Sequence, residues 1–129
     1  LLIDLGEVLR NFLLISDLEE NESVEYMPIL KDAVGAITSK LKNTNIKKED
    51  KIRLNYAAAN LAFYKYMLIK KARLKVDSFS VDGVNIKNDI VSSLKAAEDI
   101  WFSAKEEIKD LLKDEEFEFI GVPTCKYCC

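Results

Sequence analysis

The chain has no histidine among its 129 residues. That removes the side chain that most often serves as general acid, general base or metal ligand near neutral pH. Glycine is scarce, at four residues, and proline scarcer, at two. No glycine-rich phosphate loop, nucleophile motif, internal repeat or low-complexity tract is present, so enzymatic function is not expected. Cysteine is confined to the last five positions, as Cys125, Cys128 and Cys129. An odd, clustered set is not a disulfide framework, and a chain otherwise free of thiols suits a reducing cytosol. No apolar run approaches the ~18 residues of a membrane span. Leu1–Leu2–Ile3 followed by Leu5 resembles a signal-peptide core only superficially, because Asp4 and Glu7 interrupt it and no basic segment precedes it. The chain opens on Leu1 rather than Met, which leaves room for a preceding piece.

What is present is the composition of a folded protein, 49% apolar and 32% charged with a net charge of −3. This length makes one domain with a real core. The charge favours neither nucleic acid nor an anionic membrane as the default partner. Apolar spacing predicts four helices. Leu2, Leu5, Leu9 and Phe12, with Leu13 beside them, mark a first over 2–15. An acidic loop over 16–23 follows, and Ser23 is placed to cap a second helix with Pro28 near its first turn. Tyr26, Leu30, Val34, Ile37 and Leu41 form its single stripe. A third helix, about 48–71, carries two stripes: Ile52, Tyr56, Ala59, Phe63 and Met67, then Leu54, Ala58, Leu61 and Leu68. Apolar most of the way round, it is either central in a bundle or held between subunits. Asn88 or Asp89 would cap a fourth helix over 89–113, in which Ile90, Leu94, Ala97, Trp101, Ala104, Ile108 and Leu111 make a narrow seam.

Two segments read as strands. Over 76–86, Phe79 and Val81 alternate with serines, Asp82–Gly83 supplies a turn, and Val84 and Ile86 resume the alternation, as a β-hairpin requires. Over 117–122, Phe117, Phe119 and Ile120 give a short strand-like tail that Pro123 ends. It would either add to the hairpin of its own chain or reach a neighbour's sheet edge. The expected fold is therefore mainly α: a four-helix, bundle-like domain over 1–122 with one inserted hairpin and a strand-like tail, then a flexible cysteine-containing end over 123–129. Phe79, Val81, Asp82, Gly83, Val84, Ile86, Trp101, Phe117, Phe119 and Ile120 are the expected contacts with other subunits.

Each chemical motif has a plainer reading beside it. Cys125, Cys128 and Cys129 contain one C-x-x-C, where zinc wants four ligands and a second pair or histidines. Free thiols, or metal or thiol pairing between chains, both remain open, and no cofactor is expected. Lys65, Lys70, Lys71, Arg73 and Lys75 could meet nucleic acid or an acidic partner. They also suit the negative end of a helix dipole. Glu106, Glu107 and Asp110 with Lys105 and Lys109 read as surface ion pairs rather than catalytic carboxylates. Tyr56, Phe63, Tyr64 and Tyr66 could stack bases, but helical spacing assigns them to core or interface.

The order of elements, with Leu54–Asn55–Tyr56–Ala57–Ala58–Ala59–Asn60–Leu61–Ala62 before the hairpin sequence and a long Ala-containing helix after it, resembles the head–tail connector proteins of tailed phages and phage-derived tail-like particles. The resemblance covers roughly 25–113 and is one of pattern. It implies a homo-oligomeric ring at the neck or collar, joining portal or capsid vertex to tail. Its neighbours would be neck, portal or tail-terminator proteins, first in the host bacterial cytoplasm and then in the particle. It transfers no catalytic residues and offers no role for the cysteines; membrane contact and direct nucleic-acid binding are not expected from the charge balance and the apolar runs. The alternative is a cytosolic helical regulator that binds a protein partner or zinc through those cysteines.

Overall fold

The structure, a computed structural model, describes residues 3–76 and 82–113, with side chains placed for 3–73 and 91–113. Five helices are described: α1 (Leu5–Ser16), α2 (Glu20–Ser23), α3 (Met27–Thr38), α4 (Lys48–Val76) and α5 (Asp82–Glu107). Short 3₁₀ turns at Val24–Tyr26 and Lys109–Leu111 complete the order.

Asp4 begins α1, its carboxylate accepting from the Gly6 N–H at 2.9 Å and satisfying one donor that a helix start leaves unpaired. The helix ends on Asp17 in the left-handed region at φ 59°, with its N–H on the Leu13 carbonyl. Between α1 and α3 the acidic stretch is a helical turn rather than a loop. Glu19 and Glu22 form a reciprocal capping box around α2. Ser23 consequently closes α2 instead of capping the next helix, and its hydroxyl donates to the Glu20 carbonyl. Pro28 lies in the first turn of α3, where its missing N–H has no intrahelical partner to lose.

The 29-residue α4 is the axis of the molecule, with α1, α3 and α5 packed around it. Its two apolar stripes thus belong to a central helix. Leu54, Ala57, Ala58, Ala59, Leu61 and Ala62 are fully buried. Four alanines in this run keep the axis thin, so that neighbouring helices approach closely. Val8 and Phe12 from α1, Leu30, Ala33 and Ile37 from α3, and Leu94, Ala97, Trp101 and Ala104 from α5 close the core around it. Each large apolar side chain buried here contributes about 1.5–3 kcal/mol of transfer free energy. Tyr66 gathers three rings near one end of this core: Tyr26 at 4.8 Å and Phe12 at 5.8 Å edge-on, and Phe63 tilted at 6.2 Å.

The expected hairpin does not form. Asp82, Gly83, Val84 and Ile86 lie in the first turns of α5, and no β-strand occurs among the described residues. Asp and Gly are as much at home near a helix start as in a tight turn. Ile86 stands four residues before Ile90, a spacing that suits a helix as well as a strand. The helix expected from Asn88 or Asp89 accordingly starts at Asp82 and ends at Glu107. Phe79 and Val81 lie outside the described residues. So do the expected strand over 117–122, with Phe117, Phe119 and Ile120, and the cysteine tail.

The only extended pairing among the described residues is a single antiparallel bridge, Leu41 opposite Leu112. The Lys42 N–H donates to the Leu111 carbonyl at 3.0 Å and the Lys113 N–H to the Lys40 carbonyl at 2.8 Å. This ties the segment after α5 to the end of α3. Both leucines are buried.

Candidate interaction surfaces

α4 and α5 run antiparallel, with Tyr64 level with Glu98 and Arg53 level with Glu107 and Asp110. Their shared groove has a volume of about 260 Å³ and is lined by Tyr56, Asp99, Ile100, Ser103, Ala104 and Glu107. Tyr56 is 45% exposed and Ile100 41%. Ile52, one turn before Tyr56 on the same helix face, is 64% exposed. These three form an apolar surface on an otherwise buried helix pair.

The other flank of α5 exposes two apolar side chains with the Lys95–Glu98 ion pair between them. Val91 and Phe102, three turns apart on one face, are 43% and 48% exposed. Phe102 lies about 200° around the helix axis from Ile100, at ~100° per residue. α5 therefore exposes apolar side chains on two separate flanks with the core-facing seam between them.

A second groove, about 380 Å³, runs between α3 and α4. Pro28, Ile29, Leu68 and Ile69 supply apolar walls, and an ion pair between Lys65 and Asp32 sits on its edge. Leu14 and Val24 are exposed elsewhere, on α1 and after α2.

Part of the charged and aromatic motifs has contacts within the chain, while the side chain of Lys75 lies outside the described residues. Lys65 pairs with Asp32, and Lys70 stands 5.3 Å over the Tyr66 ring. Tyr64 and Tyr66 are buried and Phe63 is half-buried, so of the four aromatic residues on α4 only Tyr56 offers a broad open face. Lys109 lies 4.0 Å from Glu106, and Asp110 lies 3.7 Å from Arg53. These are exposed pairs of small energetic weight. Trp101, expected at a subunit contact, is 1% exposed and belongs to the core of its own chain.

Four groups are held away from their ordinary protonation range. Burial, then the charge of Glu98 and the 3.2 Å hydrogen bond to it, raise the Tyr64 phenol. Burial, then Tyr26 and Glu22, raise Tyr66 against the opposing pull of Arg73. The hydrogen bond to Asp50 leads in raising Arg53, and that to Asp99 in raising Lys95. All four shifts strengthen the charge state each group already has at pH 7, so none of the four is poised for proton transfer there.

Among the described residues no group of three His, Cys, Asp or Glu side chains could hold a metal ion. No helix among them is long and apolar enough to cross a membrane. Val91, Ile100 and Phe102 were not singled out in the sequence, although a signal existed: all three lie off the α5 seam. The α3–α4 groove had the same signal, since Ile29 and Ile69 fall outside the stripes of their helices. Set against known protein families, curated proteins and solved structures, the chain matches none of them.

Proposed function

We propose that this chain is a non-enzymatic structural subunit that assembles head-to-tail with further copies of itself, as a neck or collar ring of a phage or tail-like particle would require. The observation that carries the reading is the exposure of apolar side chains on two opposite flanks of α5. A ring needs a heterologous interface, in which one patch of a subunit meets a different patch of the next. Ile52, Tyr56 and Ile100 make one such patch; Phe102, with Val91 three turns away on the same face, marks the other. An isologous dimer needs one patch only. The order of elements in connector proteins adds support through the helices alone, because the hairpin that formed part of the resemblance does not form over 82–86.

The test uses two variants, Ile100→Asp and Phe102→Asp, each on a partly exposed position. Unchanged helicity and unchanged emission from Trp101, the single tryptophan, verify the fold. Native mass spectrometry with crosslinking at high concentration should show closed oligomers for the parent and monomers for each variant. A mixture of the two variants should give 1:1 dimers and nothing larger, because one intact patch remains on each. A parent that stays monomeric, or a variant that still dimerises alone, overturns the proposal.

A further inference from the structure

One end of the bundle collects lysines that the core and the α5 flanks do not use. There α3 ends, α4 begins and α5 ends, tied together by the bridge and by Arg53. Residues 33–48 contain no carboxylate and carry Lys40, Lys42, Lys47 and Lys48. The fold adds Lys51 from the first turn of α4 and Lys113 from the far side of the bridge. Lys42, Lys47, Lys48, Lys51 and Lys113 are exposed, and none of the five has an ion-pair partner among the described residues. The carboxylates nearby are mostly taken. Asp50 and Asp110 face Arg53, Glu106 faces Lys109, and Glu107 lines the α4–α5 groove. Glu49 stands beside the lysines.

These lysines do nothing for the fold. A helix start is the positive end of its dipole and disfavours cations, yet Lys47, Lys48 and Lys51 stand at the start of α4. At the bridge Leu41 and Leu112 turn inward and are buried, so the alternation of an extended chain turns Lys42 and Lys113 outward. The register places Lys113 opposite Lys40 and diagonal to Lys42, and paired strands avoid like charges so near. Charges set against their own fold in two separate elements point to an external counter-charge. The net charge of −3 conceals this, because it sums the whole chain.

We propose that this end binds the phosphate backbone of a nucleic acid, by charge and without reading bases. Asn43, Thr44 and Asn45 are exposed between the lysines and supply the neutral donors that commonly contact phosphate oxygens. An anionic bilayer would recruit apolar side chains as well, and no large apolar residue is exposed over 40–51. The nearest, Ile52, belongs to the surface shared with Tyr56 and Ile100. The proposal goes beyond the ring reading and does not rest on it.

Fluorescence anisotropy of a short, mixed-sequence DNA duplex tests it over a salt series. The parent should bind at low salt and weaken steeply as salt rises. Lys47→Gln with Lys48→Gln, and separately Lys42→Gln with Lys113→Gln, should each make the log–log salt slope shallower by about 2. Each pair should weaken binding about tenfold or more at ~50 mM salt. Lys31→Gln with Lys71→Gln removes the same charge elsewhere and should leave the slope unchanged. The urea midpoint of the Lys47 and Lys48 variant should hold or rise, which a structural role for these lysines would not allow. Absent duplex binding at low salt, or an equal loss in the Lys31 and Lys71 variant, overturns the proposal. So does binding to phosphatidylserine vesicles or poly-glutamate in place of the duplex. Ile100→Asp and Phe102→Asp keep all five lysines, so these variants should retain the parent salt slope whether or not a ring forms.

Discussion

The backbone N–H of Asp4 donates to the side-chain oxygen of Asn55 at 2.9 Å, while the Asp4 carboxylate caps α1. One residue thereby starts a helix and fastens that start to the central axis. The two contacts use different atoms of Asp4, so the geometry of each supports the other.

Asp4→Ala should cost about 1 kcal/mol, as a lost cap does. Asn55→Ala should cost about 1 kcal/mol, as a lost tertiary hydrogen bond does. The double variant should cost less than the sum, because a frayed α1 start no longer presents its N–H to α4. Urea denaturation of all three variants measures this, and strict additivity would dissociate the cap from the tether.

Asn60 is 1% exposed in the middle of α4. Its amide nitrogen donates to the Tyr56 carbonyl at 3.1 Å, and its side-chain oxygen has no partner among the described residues. A buried acceptor without a donor costs about 1–3 kcal/mol. Asn60→Leu should therefore leave stability unchanged or raise it by up to about 1 kcal/mol. Asn60→Asp should lower it sharply, since a carboxylate there would be desolvated beside the backbone carbonyl of Tyr56. Trp101 emission follows both transitions. A marked loss of stability in Asn60→Leu would mean that the oxygen is satisfied after all.

Alkaline stability should track the buried phenols. Tyr64 and Tyr66 are raised above the ordinary tyrosine range, with burial the first cause in each. Below about pH 10 both phenols are neutral in the native and the unfolded chain and contribute no pH dependence. Above it the unfolded chain ionises first and binds fewer protons than the native one, so stability falls as pH rises toward the native values. Tyr64→Phe with Tyr66→Phe should flatten the fall in urea midpoint between pH 8 and pH 11, whatever it costs at pH 8. An equally steep fall in the double variant would assign the alkaline loss to other groups.

Helix faces were readable in the sequence because burial follows a period. Leu30, Ile37 and Leu41 are buried as their spacing requires, and so are Leu94, Ala97, Trp101, Ala104 and Ile108. The hairpin was misread because a two-step alternation at Val84 and Ile86 is too short to tell from helical spacing, and Asp-Gly serves either structure. The turn at Glu20–Ser23 was missed because its cap is a glutamate rather than the usual Ser, Thr, Asp or Asn. The interaction surfaces were less legible. Periodicity assigns Ile52 and Tyr56 to one face with Ala59 and Met67, yet the first pair is exposed and the second buried. What covers a face depends on where the neighbouring helices end, and a repeat spacing carries no information about that.

The bridge between Leu41 and Leu112 joins positions 71 residues apart in the chain. The α4–α5 pair forms through nearer contacts, and loop closure over so long a span brings no reward until the intervening helices are in place. Closure of this bridge is therefore expected after the α4–α5 pair has formed. During synthesis it waits until Lys113 has left the ribosome, and until then the end of α3 and the turn into α4 stay unlatched. A nascent chain that has not yet released Lys113 thus presents the end of α3 without this joint.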